Sequence, residues 1–119
     1  LKNFSVHSGT DITPEATVIL KGEGKTFKST SSGDGPVDAC YKAVDKITKI
    51  KGELLDYSIQ SVTRGKDALG EVSVKVRLDK KEISGRSATT DIIEASVRAY
   101  LNAINKFLSQ TAKSHTLSL

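Results

Sequence analysis

The sequence predicts an α+β domain of two βββα units related by a pseudo-two-fold axis, antiparallel strands covered by two helices, forming a homodimer. Three observations carry this expectation. Short runs of alternating apolar residues read as strands, and two longer stretches repeat apolar residues at three- and four-residue steps. The order strand, strand, strand, helix then occurs twice. The same junction precedes both helices: "SGDGPVDACYKAVDKI" (32–47) and "SGRSATTDIIEASVRAYLNAI" (84–104) each run from a glycine-bearing turn into an amphipathic helix with an aspartate near its start.

Taken in order, Phe4 and Val6 alternate with polar residues in a first strand, and "SGTDITP" (8–14) reads as a loop. Ala16, Val18 and Leu20 define the second strand; "GEG" (22–24) is a tight turn into a third, "KTFKST" (25–30). Val37, Cys40, Tyr41, Val44, Ile47 and Ile50 share one helical face, and Gly52 is expected to end that helix. The second unit restarts with Leu55, Tyr57 and Ile59. "RGKDALG" (64–70) reads as a loop, and Val72, Val74, Val76 and Leu78 form the cleanest alternation in the chain. "DKKE" (79–82) turns it back into a short strand around Ile83. The second helix carries Ile93, Val97, Tyr100, Leu101, Ile104, Phe107 and Leu108 on one side. One domain over 1–110 follows, with units 1–52 and 53–110 and a polar, fraying tail over 111–119. Three strands and one helix enclose little core, so the two halves are expected to be packed together, with a second chain as a further surface to pack against.

Composition narrows the functional classes. At 119 residues with 37% hydrophobic and 5% aromatic content, the chain is too apolar for disorder and suits aliphatic packing. The net charge of +4 is spread along a chain with no run of five like charges, which describes a mixed solvated surface better than a polyanion footprint. A single cysteine, Cys40, excludes an internal disulfide and falls on the apolar stripe; a cytoplasmic setting is the expectation, with no membrane association. Opening on "LKNFSV" without a methionine, the sequence reads as a piece of a longer protein.

Catalytic chemistry finds little purchase. His7 and His115 are the only histidines, no metal-ligand spacing is present, and no serine sits in a nucleophile motif. Alternation sends Asp56 and Tyr57 to opposite faces of a strand, so they make no acid pair. No catalytic residue, metal ligand or cofactor is expected in these residues. The helix starts are more informative, because unpaired N–H groups and the helix dipole there attract a carboxylate or phosphate. Gly33 and Gly35 would admit close approach, and Pro36 suits the first helical position. Asp38 and Asp91 are read first as helix caps, Asp91 with Glu94 reaching back in a capping box. "GDGP" matches neither a phosphate loop nor a dinucleotide turn. A zwitterionic amino acid fits best: amides for its carboxylate, an aspartate or carbonyl for its ammonium, and Val37, Leu54, Ala68 and Ala88 as an apolar wall.

Four ordered blocks resemble the C-terminal regulatory domain of the 2-isopropylmalate synthase and citramalate synthase family. They are "GDGPVDA" (33–39), "LLDY" (54–57), "GKDALGEVSV" (65–74) and "GRSATTDIIEASVRAYLNAIN" (85–105). The resemblance spans nearly the whole chain and implies two βββα units that pair across a two-fold axis. It further implies binding of the end-product amino acid, leucine or isoleucine, near that interface, with feedback inhibition of a catalytic (β/α)₈ barrel elsewhere in the parent chain. There, with a divalent metal, acetyl-CoA condenses with a 2-oxo acid; the present residues would have no activity of their own. By the same resemblance the effector site comprises Gly35, Val37, Asp38, Leu54, Tyr57, Ala68, Ala88, Thr89, Thr90 and Asp91. Thr89 stands where the family has serine, adding a methyl that bears on the choice between leucine and isoleucine.

Two readings of other kinds compete. Residues 36–108 also follow the α-β-β-β-α order of a double-stranded-RNA-binding domain. The acids in "TTDIIE" would repel a phosphate backbone, and only Arg86 is near. The other is a dimerisation module without a ligand.

Overall fold

The structure of the chain, a computed structural model, describes residues 3–111. Strands and helices follow as β1 (Asn3–Gly9), β2 (Ile12–Gly22), β3 (Lys25–Ser32), α1 (Pro36–Thr48), β4 (Glu53–Arg64), β5 (Asp67–Leu78), β6 (Lys81–Thr89) and α2 (Ile92–Thr111). The βββα, βββα order is therefore as expected. The chain divides into two compact units, the first through Lys51 and the second from Gly52. Each holds one antiparallel three-stranded sheet in sequential order, β1-β2-β3 and β4-β5-β6.

In the first unit β2 is the central strand, and its alternation puts Ala16, Val18 and Leu20 at 1%, 0% and 0% exposure. Across from them α1 buries Ala39, Cys40, Tyr41, Ala43 and Val44. Packing a helical stripe on a pleated face is what turns these two periodicities into a core. In the second unit Val72, Val74, Val76 and Leu78 of β5 face α2, which packs on β5 and β6 through Val97, Tyr100, Leu101, Ile104 and Phe107. The helix lies unusually close to β6. A Cβ on Gly85 would collide with Ala99 O and would stand 2.8 Å from Ala103 N, so backbone meets backbone there.

The strands run longer than the alternation suggested. "SGTDITP" shrinks to a turn at Thr10–Asp11, with Pro14 inside β2 where the β1–β2 register slips between His7 and Gly9. A slipped register is where a strand tolerates proline. "RGKDALG" likewise shrinks to Gly65–Lys66, with Asp67 to Gly70 in β5, and β6 spans nine residues. The Glu23–Gly24 and Asp79–Lys80 turns have positive φ at both central residues (52° and 74°; 46° and 69°), matching the right-handed strand twist.

Two expected helix ends are corrected. Gly52 does not end α1: the helix stops at Thr48, and Lys49 caps it in the left-handed conformation (φ 58°, ψ 24°), its N–H donating to Asp45 O at 2.8 Å. Gly52 instead leaves room for the end of the Tyr100 ring and for Leu78, 3.1 Å from where a Cβ would stand. At the other end α2 runs to Thr111, the first residue of the expected tail; the remainder of that tail, 112–119, lies outside the described residues. No helix among the described residues is long and apolar enough to cross a membrane.

The α-β-β-β-α alternative also resolves. A double-stranded-RNA-binding domain carries both helices on one sheet, whereas here α1 packs on β1–β3 and α2 on β5 and β6.

Candidate functional site

The start of α1 is built by a chain that enters in extended form. Gly33 N–H donates to Pro14 O at 3.1 Å, extending the β2–β3 ladder by one bond. Gly33 must be glycine for a local reason: a Cβ there would stand 2.5 Å from Ala39 N and 2.6 Å from Asp38 Oδ2. The space its missing side chain leaves is thus filled by its own helix. Gly35 is the N-cap, extended (φ −161°, ψ 175°), with open space where a Cβ would be and no side-chain cap. Pro36 occupies the first turn as expected. Ala39 N–H closes the first helical bond onto Gly35 O at 2.9 Å. The Val37 and Asp38 amides have no partner among the described residues.

Asp38 serves its own helix. Its Oδ2 accepts the Asp34 N–H at 2.8 Å and pairs with Lys42 Nζ at 3.1 Å, one turn on. The backbone bond from Asp34, helped by Lys42, holds its carboxyl below the usual aspartate range against the opposing effect of partial burial. Lys42 is correspondingly raised by Asp38.

The start of α2 is closed differently. Asp91 is its N-cap: Oδ1 accepts the Ile93 and Glu94 N–H groups at 2.9 and 3.3 Å, and Ala95 N–H bonds Asp91 O at 2.9 Å. Thr89 Oγ1 accepts the Asp91 N–H at 3.1 Å and donates to Asp91 O at 2.6 Å. Glu94 does not reach back as a capping box would. The Thr89 hydroxyl already holds the Asp91 amide, and Glu94 pairs with Arg98 at 2.9 Å, four residues on. One helix start is therefore capped by a side chain and the other is open.

Register decides which of the second unit's expected residues share a face. Tyr57 pairs with Val74, Ala68 with Thr63, and Thr89 with Gly70, all on the side that faces α2; Leu54, opposite Val76, joins them. Ala88 pairs with Glu71, so its side chain leaves on the other face. Asp56, opposite Lys75, also faces away from Tyr57. Leu54 is 44% exposed, Ala68 and Thr90 are exposed, and Tyr57 and Thr89 are half-buried. The Tyr57 hydroxyl meets Ser96 Oγ at 2.5 Å, and Ser96 donates to Ile92 O at 2.7 Å, which makes Tyr57 the donor to Ser96. Ser96 was not singled out in the sequence. A fully buried serine on an apolar helical stripe, opposite a strand tyrosine, was the available signal.

Two concavities of about 420 Å³ lie elsewhere. One, on the second unit, is lined by Asp56, Ser58, Ser73, Val74, Lys75, Ser84, Gly85, Arg86 and Lys106. The second, beside the end of α1, is lined by Lys42, Lys46, Lys49, Ile50 and others. Neither includes an expected site residue. Among the described residues no group of three or more His, Cys, Asp or Glu could hold a metal ion. Cys40 is buried, and burial pushes its thiol up to about 11.

The described chain thus holds two βββα units, one with an open helix start and one with a start capped by a side chain. The chain belongs to the LeuA allosteric (dimerisation) domain family, whose model matches residues 1–108. Its relatives include proteins named 2-isopropylmalate synthase. That of Carboxydothermus hydrogenoformans is 51% identical over 109 residues, covering 91% of this chain and 21% of the relative. That of Methylacidiphilum infernorum is 53% identical over 96 residues (80% and 19%). That of Ruminiclostridium cellulolyticum is 43% identical over 114 residues (96% and 22%). The chain thus spans about a fifth of the length of these relatives.

Proposed function

We propose that this chain is the regulatory domain of a cytoplasmic 2-isopropylmalate synthase, where as a homodimer it binds leucine and lowers the activity of the catalytic barrel. The observation that carries the reading is the open start of α1 in a chain of an allosteric domain family: the Val37 and Asp38 amides point out of a helix that no side chain caps. A leucine carboxylate is the small anion such amides accept. The relatives are named 2-isopropylmalate synthase, which favours leucine over isoleucine as the effector; the barrel, with acetyl-CoA, a 2-oxo acid and a divalent metal, is what the family resemblance implies for the parent chain.

The proposed contacts are Gly35, Val37 and Asp38 in the first unit and Leu54, Tyr57, Ala68, Thr89, Thr90 and Asp91 in the second. Ala88, whose side chain leaves on the other face, would take part through its backbone. Both aspartates are engaged in their own helix starts, so either would meet the ammonium through a further lone pair. Inhibition then requires leucine to favour one arrangement of the parent enzyme over another, by about 1–3 kcal/mol for a typical allosteric effector. Titration calorimetry of the 119-residue chain with leucine and isoleucine tests this. Saturable heat with leucine is expected; silence with both amino acids at millimolar concentration would end the effector reading.

A further inference from the structure

The polar concavity of the second unit contains none of the residues assigned to the effector, and its chemistry is left unused by the fold. Its volume is about 420 Å³, within the roughly 300–1,000 Å³ usual for small-molecule sites. Strand register builds it from two adjacent cross-strand rows, Asp56–Lys75–Ser84 and Ser58–Ser73–Arg86. Rows two residues apart share one face of a sheet. The floor is held in place by α2. Lys106 Nζ donates to Ser84 O at 2.8 Å and Asn102 Nδ2 to Arg86 O at 2.6 Å, while Gly85 between them lies against the α2 backbone. Polar groups carried on clamped backbone lose little freedom when a ligand arrives.

Charge pairing singles out Arg86. Arg77 holds Glu53 and Glu82, Arg98 holds Glu94, and Lys75 turns to Glu82 at 3.4 Å rather than to Asp56 across the strands. The Arg86 guanidinium has no hydrogen bond or ion pair among the described residues, and neither do the hydroxyls of Ser58, Ser73 and Ser84. Asp56 accepts the Tyr57 N–H on one carboxylate oxygen at 3.0 Å, which leaves the other free to accept. A guanidinium fork beside hydroxyl donors recognises an oxyanion, and a carboxylate next to them accepts from a hydroxyl. We propose that this face binds a small oxyanion bearing a hydroxyl group, its phosphate or carboxylate on Arg86 and its hydroxyl on Asp56. Lys106 at the margin adds a second positive charge. An anion without a hydroxyl would meet the Asp56 charge with nothing to offset it. The site is independent of the effector and of the homodimer.

Titration calorimetry of the 119-residue chain at physiological ionic strength tests it with ribose 5-phosphate, malate and inorganic phosphate. Saturable binding is expected with ribose 5-phosphate or malate, and which of them binds tells a sugar phosphate from a hydroxy acid. Arg86→Ala should weaken that binding at least about tenfold, as for the loss of a charge-assisted hydrogen bond. Arg98→Ala removes a positive charge from α2 outside the concavity and should leave binding unchanged. Silence with both hydroxylated probes, or an equal loss in Arg98→Ala, overturns the site. Inorganic phosphate binding as tightly as ribose 5-phosphate overturns the hydroxyl contact at Asp56. Saturating leucine should not displace the probe; displacement would merge this site with that of the effector and overturn the proposal.

Discussion

Gly85→Ala should be among the most damaging single-methyl changes available in the second unit. The added Cβ would collide with Ala99 O and stand 2.8 Å from Ala103 N and 3.1 Å from Ala103 Cβ. Ordinary contact begins near 3.4 Å, so α2 must lift from β6 by at least about 0.6 Å; a gap of that size forfeits roughly a quarter of the dispersion well of each pair across it. The helix buries Val97, Tyr100, Leu101, Ile104 and Phe107. Each such side chain is worth about 1.5–3 kcal/mol. A quarter of that sum is about 2–4 kcal/mol, at or just beyond the usual range for overpacking. Urea unfolding followed by circular dichroism, at one fixed chain concentration, measures it. Gly35→Ala is the control, extended and with open space at its Cβ, and should change stability by less than about 0.5 kcal/mol. A Gly85→Ala variant within about 0.5 kcal/mol of the wild type would refute the claim that α2 sits on β6 through its backbone.

Three further outcomes follow from the junctions and turns. Asp91→Ala removes two bonds to the first turn of α2 and should cost about 1 kcal/mol in the same urea experiment, with Asp91→Asn recovering most of it. Lys80→Gly should stabilise by about 0.5–1 kcal/mol, because Lys80 holds φ 69° in a two-residue turn for which Asp-Gly is the preferred pair; thermal unfolding reads this as a higher midpoint. The carboxyl of Asp38 titrates below its unfolded value, so its contribution is complete above the ordinary aspartate range and fades as pH falls through and below it. The difference in melting temperature between the wild type and Asp38→Asn should accordingly shrink between about pH 6 and pH 3.

What the sequence made legible was whatever burial dictates. The rows Ala16–Val18–Leu20 and Val72–Leu78 alternate because one face of each is sealed, and the helical stripes repeat for the same reason. Gly35 and Pro36 at the start of α1 and Asp91 as cap of α2 were equally readable, since caps follow residue chemistry. Strand ends were not, because Asp67 to Gly70 are paired while two of the four are exposed, and pairing without burial leaves no hydrophobic signature. Gly52 was read by its type as a helix end, yet tertiary contact with Tyr100 sets its identity. The close seat at Gly85 had a signal that went unread: a glycine inside a strand, with alanines at 99 and 103 one turn apart on the helix. For the candidate site, the resemblance named residues that chemistry alone could not, and the register then separated Ala88 from Leu54, Tyr57, Ala68 and Thr89.

The β4–β5 hairpin outruns the rest of its sheet. β6 stops pairing at Gly70, so Val62 to Arg64 and Asp67 to Leu69 form a two-stranded arm beyond the third strand. A two-stranded ribbon is marginal on its own in water, so the arm should open and close locally, far more often than the domain unfolds. Ala68 rides on it. Any molecule that grips Ala68 must first still this arm, and the entropy of stilling it is subtracted from the affinity that rigid contacts elsewhere would otherwise deliver.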